Sequence, residues 1–451
     1  MQQFINAAVQ KIIEIIDFKE NNKSVAWQFI LEELDAAQHG TAFVVDRVQR
    51  FYINESDYKG ALENSCEDVD GPTGPQQYLL DVTAFIAEKK DREIAAMVRI
   101  TIVEYVLKHY MFGRYFLSSE YRTAKKPLAL FDIVAESKKL NPNFKHILSE
   151  EYAPVREVLN RWASGFEDRD NKFNRQFQET FNSSFWELYL FQCFKDLKME
   201  VDFTQPSPDF TLNTLNGNLI NVEAVTANHA HDSIPEWDGY GANLLEDKEF
   251  LNFSCVRLLN AIDFKSKKYF ETYEKHDHVK SNPYVIAVAP YEQPLFFIQN
   301  NEAIIRVLYA QGVDKNNGFS EVEVNLAIKN GKTPLELGLF TTDKFKHISA
   351  VIFSTTATLG KAITQSNLKR EIRSSWYHPS QGLVMEMKSN EIHFETHLDG
   401  LQIHHNPFAE KPLSLDEFRN YEITHYFYDP ETKTIDNQQK PYTLISRNIW
   451  G

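Results

Sequence analysis

The chain has 451 residues and a formal net charge of −15; 43% of it is hydrophobic, with 33 Phe and 20 Tyr. That is ordinary for a folded protein and excludes both a disordered chain and whole-molecule electrostatic attraction to nucleic acid. Three well-separated cysteines, Cys66, Cys193 and Cys255, exclude a disulfide framework and a zinc site built on CxxC pairs.

In chain order, residues 1–165 read as a helical N-terminal domain. Phe4, Ile5, Ala8, Val9, Ile12, Ile13 and Ile16 form a stripe of helical period, and Ser24–Ala37 a second helix ended by Gly40. Lys11, Glu14 and Asp17 in the first helix argue against a signal peptide. No apolar run approaches the ~20 residues that span a bilayer, so the expected setting is a reducing cytoplasm without membrane contact. Glu63–Gln76, with Gly71-Pro72 and Gly74-Pro75, reads as a loop, and a helical pattern follows from Tyr78 to about Phe116. Leu128–Ser137 and Val155–Phe166 read as shorter helices around Asn141-Pro142-Asn143.

A boundary is expected at the polar stretch Ser164–Lys172, opening a core over 166–365. Phe173–Leu197 reads as one helix, followed by strands at Met199–Phe203, Asp209–Thr214 and Leu219–Val225. Asn216-Gly217 is a hairpin turn between the last two. Leu251–Tyr273 and Asn301–Gln311 read as helices. Pro283–Pro290 and His347–Ser354 are apolar enough for strands covered on both faces. Residues 366–451 carry short alternating runs at Leu383–Met387, Ile392–Glu395 and Tyr421–Tyr428, which suggest a β-rich C-terminal extension.

Three acids stand out. Glu187 lies in an aromatic helix, Asp209 follows Pro208 at a strand start, and Glu223 sits between Val222 and Val225, where an acid needs a partner or a cation. Taken singly each has a plain reading, Glu187 as a helix surface acid and Asp209 as a turn residue. Cys193 and Cys255 fit core positions, His229 and His231 loop positions, and His404-His405 a strand end.

The α-β-β-β-α-β order over 173–290, with Pro208-Asp209 and an acid 14 positions later across a hairpin, resembles the restriction-endonuclease-like, PD-(D/E)XK, nuclease superfamily. The strings FWELYL, PDF and VEAVTAN, with LEELDAAQHG, FSTTATLGK and HHNPFAEKPL, also resemble a family of uncharacterised bacterial proteins, a likeness that brings no activity with it. The superfamily resemblance implies Mg²⁺ or Mn²⁺ on Asp209, Glu223 and the Ala224 carbonyl, assisted by Glu187. It implies phosphodiester hydrolysis in DNA, less readily RNA, and a role as a bacterial defence effector. The superfamily's lysine position holds Val225 here. Lys265, Lys267 and Lys268 on the next helix are the substitutes, Lys265 foremost because Leu258 and Ile262 precede it on nearly one face. The alternative is a decayed site on a binding or assembly scaffold. In either case the helical N-terminal half would bind a protein partner or a second copy. Basic surface for nucleic acid is expected at Lys265–Lys280 and Lys361–Arg373.

Overall fold

The structure is a computed structural model and describes residues 128–450, apart from 198, 215, 239–246, 300, 315–319, 379–381, 391–392, 394, 419–422 and 439–442. The helices expected before residue 128 lie outside the described residues. The rest is a mixed α/β protein with a large mixed sheet between helices.

Helices α1 (Pro142–Ile147), α2 (Ala153–Trp162), α3 (Phe173–Glu179) and α4 (Phe181–Asp196) come first. Strands β1 (Glu200–Val201), β2 (Phe210–Asn213) and β3 (Leu219–Asn228) follow, then α5 (Asp247–Glu271), α6 (Asp277–Lys280) and β4 (Tyr284–Tyr291). Next are α7 (Glu302–Tyr309) and the ribbons β5 (Gln311–Asp314) with β6 (Ser320–Glu323) and β7 (Leu326–Lys329) with β8 (Thr333–Glu336). β9 (Ala350–Phe353), α8 (Leu359–Thr364), β10 (Glu371–His378), β11 (Gly382–Ser389), β12 (Gln402–His405), β13 (Thr424–Asp429), β14 (Thr434–Gln438) and β15 (Thr443–Trp450) complete the chain.

The large sheet has the order β1-β2-β3-β4-β9-β12-β13-β14. β1, β2 and β3 pair antiparallel, whereas β3, β4 and β9 run parallel. β4 is buried along its whole length because both faces are covered. Val285, Ala287 and Ala289 face the core under α2 and α4, and Tyr284, Ile286 and Val288 face the core under α5 and α7. α4 is buried on nearly every side, with large apolar residues around its whole circumference, as suits a helix enclosed by the core. Its Trp186 is fully buried and donates to the Ala287 carbonyl at 3.0 Å. Among the described residues no helix is long and apolar enough to cross a membrane.

Three expectations need correction. Residues 128–136 are not helical: the Gln178 side chain accepts from the N–H groups of Val134 and Ala135 and donates to the carbonyls of Leu130 and Asp132, so this backbone is satisfied without a helix. The helix expected over 173–197 is two, α3 and α4, broken at Thr180, whose backbone (φ −120°, ψ 49°) is not helical. The strands of residues 366–451 divide. β11, β10 and β15 form a separate three-stranded sheet, while β12, β13 and β14 extend the large one, β12 pairing antiparallel with β9. Of the run at 392–395, His393 and Glu395 are outside any strand.

Candidate active site

The site begins where β2 stops and β3 continues. Phe210 pairs with Val222, so the residue that would face Ala224 is Pro208, which has no N–H to give. The ladder ends there and the Asp209 side chain replaces it, Oδ2 accepting the Ala224 N–H at 2.8 Å. The Asp209 N–H donates to Glu223 Oε2 at 3.3 Å. A strand residue turns its N–H and C=O to the same edge, so the Ala224 carbonyl faces the gap beside Asp209. Arg169 holds this corner, donating to the carbonyls of Gln205 at 2.5 Å, Pro208 at 3.4 Å and Asp209 at 3.1 Å.

Glu223 is fully buried on the face of β3 that meets α5. Its Oε1 accepts from Lys265 Nζ at 2.5 Å, Tyr273 Oη at 2.7 Å and Lys268 Nζ at 3.2 Å. Leu258 and Ile262, both wholly buried, turn this face of α5 toward the sheet. Lys267 lies on the other side, at 2.6 Å from Asp263 in solvent. Of the three lysines, Lys265 and Lys268 therefore reach the acid and Lys267 does not.

Glu187 stands on α4, partly buried, with no hydrogen-bond donor among the described residues. Burial and then the Asp209 charge push its carboxyl up to about 8; Lys265 opposes this and Glu223 adds to it. Burial and the Glu223 charge likewise push Asp209 up to about 6, against the pull of Lys265 and the Ala224 N–H. Burial disfavours the Lys265 ammonium, but Glu223, Asp209 and Glu187 together hold its pKa above the ordinary lysine value. Tyr273 is raised by burial and the Glu223 charge, so it stays a phenol and a donor. Both lysines bond Glu223, so Asp209 and Glu187 have no ion-pair contact of their own among the described residues. Burial and their mutual repulsion outweigh the pull of Lys265 and, for Glu187, Arg169.

Of the expected residues, Asp209, Glu223, Ala224 and Lys265 are joined by hydrogen bonds at this corner, while Glu187 lies within electrostatic reach of them without a hydrogen bond to any. Val225 lies two residues past Glu223 and packs against the core under α5. His229 and His231 point elsewhere: His229 Nδ1 is 3.8 Å from Glu236 Oε2, and His231 is fully exposed beside Asp232. Lys268 was among the three candidate lysines; Tyr273 and Arg169 were not foreseen. Lys268 and Tyr273 had a signal, since they lie three and eight positions past Lys265. Arg169 had none, because its partners lie 36 to 40 residues away, beyond α3, α4 and β1.

Among the described residues no group of three or more His, Cys, Asp or Glu side chains is placed to hold a metal unaided. A cation here would use the carboxylates of Asp209 and Glu223, the Ala224 carbonyl and water. These hard oxygen donors fit Mg²⁺ or Mn²⁺, which bind one or two carboxylates and keep several waters. No family model matches the chain, and no curated protein or solved structure matches it either.

Proposed function

We propose that the chain is a divalent-cation-dependent nuclease with a PD-(D/E)XK-like core, acting on DNA in preference to RNA. What supports this reading is the convergence of Asp209 and Glu223 with Lys265 at the open end of the β2–β3 ladder, with more negative charge than the local lysines neutralise. Bound Mg²⁺ or Mn²⁺ would polarise the phosphate and acidify an attacking water. Asp209, Glu223 and the Ala224 carbonyl would hold that cation. Lys265, fixed as an ammonium, donates to charge developing on the phosphate oxygens. Glu187 retains or releases its proton near neutral pH and so can pass one to or from water. Tyr273 keeps Glu223 aimed.

Basic surface for the substrate is narrower than the sequence suggests. Lys361 is fully buried against Glu395, so within 361–373 only Lys369, Arg373 and, in part, Arg370 reach solvent, beside the stretch Lys265–Lys280.

A second reading, a scaffold that retains the fold without cleavage, is favoured by one observation: Lys265, Lys268 and Tyr273 already satisfy Glu223 Oε1. Supercoiled plasmid and a structured RNA, incubated with Mg²⁺ or Mn²⁺, decide between the two. The nuclease reading expects nicking that is lost in Asp209→Asn and Glu223→Gln. Inactivity on both substrates, with no cation-dependent rise in melting temperature, establishes the scaffold and removes the nuclease.

A further inference from the structure

A cavity of about 480 Å³ lies beside Tyr291, at the far end of β4. Tyr291 pairs with Asn228, five residues beyond Glu223 along β3, so the cavity is ~17 Å from the acid corner at ~3.3 Å per residue. Its size falls within the ~300–1,000 Å³ typical of small-molecule sites. Its walls are aromatic: Phe181 and Phe185 of α4, whose rings stack at 5.5 Å, with Trp237, Phe296 and Phe297. Stretches far apart in sequence meet here, including Asn143, the start of α8 and β15.

Two polar groups in this wall are held firmly and left incomplete. The Glu236 side chain is only 7% exposed. Its Oε1 accepts from Asn143 Nδ2 at 3.1 Å and Asn182 Nδ2 at 2.5 Å, while Oε2 has no hydrogen-bond partner. The nearest basic atom, His229 Nδ1, is 3.8 Å away and is itself without a partner. Across the lining, Arg447 is anchored by Glu395, the Thr356 carbonyl at 2.8 Å and Thr358 Oγ1 at 2.9 Å, and its Nε has no acceptor. Gly360 lets the guanidinium pack close to its backbone: a Cβ there would lie 2.8 Å from Nε. The Arg447 charge is met by Glu395, so the cavity asks for a donor and an acceptor rather than an anion.

We propose that this cavity binds a purine base of guanine type, as the free nucleoside or base. A flat ring matches the aromatic walls. Guanine offers N–H donors for Glu236 Oε2, and its O6 and N7 acceptors suit a guanidinium N–H. Among the described lining residues Arg447 is the one basic side chain, and it is paired with Glu395, so nothing there is free to hold a phosphate chain. Both buried atoms then gain the partner they lack, at the cost of a small outward shift to reach the ring. The site is separate from the acid corner and does not depend on what happens there.

Calorimetric titration of the full chain with guanosine, adenosine and tryptamine tests it. Guanosine should bind, adenosine at least tenfold more weakly and tryptamine more weakly still. Glu236→Gln, which turns one end of the site from acceptor to donor, should weaken guanosine at least tenfold. Leu359→Trp, which fills the cavity from its wall, should abolish binding with the melting temperature kept. Guanosine heats that persist in both variants would overturn the assignment. So would tighter binding of tryptamine, which would mark an ammonium site, or no binding of any of the three.

Discussion

Two clusters of buried charge in this protein have opposite balances. At the acid corner, Glu187, Asp209 and Glu223 face Lys265 and Lys268. In the second cluster, Glu395 is enclosed by Lys361 at 3.1 Å, His393 at 3.0 Å and the Arg447 guanidinium, with Thr364 adding a hydrogen bond. Lys361 also donates to the carbonyls of Thr396 at 3.0 Å and Asp399 at 2.8 Å. The consequence shows in the acids. Burial works against the Glu395 charge, yet Arg447, Lys361 and His393 hold its carboxyl well below the usual range. Glu187 and Asp209 are pushed the other way, burial first and neighbouring carboxylates second. In the second cluster Asp399, whose carboxylate accepts the Thr396 N–H, is likewise pushed up to about 7 by burial, so it is the ion-paired Glu395 that marks the difference. A cluster that closes its own charges serves the fold. One that leaves carboxylates uncompensated gains by meeting a cation from outside.

Mutation separates the two most sharply. Glu395→Ala leaves Lys361 and Arg447 buried and unpaired and should cost ~3–5 kcal/mol in urea unfolding. Asp209→Asn relieves repulsion while its side-chain oxygen still accepts from Ala224, so stability should hold or rise while cleavage falls at least ~100-fold. Equal destabilisation by the two changes would erase the distinction.

A cation provides the next contrast. At a hundred times its dissociation constant, Mn²⁺ should stabilise the protein by ~2.7 kcal/mol, read as a rise in melting temperature, and Asp209→Asn should remove the rise. Glu395→Gln should keep it. A rise unaffected by Asp209→Asn would move the cation elsewhere.

The pH dependence should be smaller. An acid whose native pKa is raised binds more protons folded than unfolded, so stability is full below its ordinary pKa and declines as pH climbs to the native value. For Asp209 that window closes near 6 and for Glu187 near 8. Buried histidines such as His397 and His404, pushed down to about 3, act in the opposite sense at lower pH. Between pH 7 and 8, in EDTA, the melting temperature should therefore fall, and Glu187→Gln should flatten that fall. A wild-type profile as flat as the variant's would contradict the raised Glu187 pKa. Least of all, Lys267→Ala should leave both stability and cleavage at wild-type values, since its pair with Asp263 is solvated.

What the sequence disclosed of these clusters follows from how each is assembled. Glu223 was legible because an acid inside an apolar strand has few explanations, and Lys265 because Leu258 and Ile262 fix its helix face. Pro208-Asp209 and the Asn216-Gly217 turn set the register that brings Asp209 opposite Glu223, with its carboxylate on the Ala224 N–H. The Glu395 cluster was illegible. Its partners come from residues 361, 393 and 447, joined only by the packing of α8 and β15, and Lys361 read as surface because nothing near it in sequence carries its counter-charge. The missing helix at 128–136 has a similar cause: the Gln178 side chain, more than 40 residues away, takes over hydrogen bonds that local propensity assigns to the backbone.

The account rests on a cation meeting the surplus charge at the open end of the β2–β3 ladder. Anomalous scattering from crystals grown with Mn²⁺ tests it directly. The expected result is a peak within coordination distance of Asp209, Glu223 and the Ala224 carbonyl, with Lys265 drawn off Glu223. A corner without a peak, with Lys265 still on Glu223 while Mn²⁺ occupies another position, would contradict it.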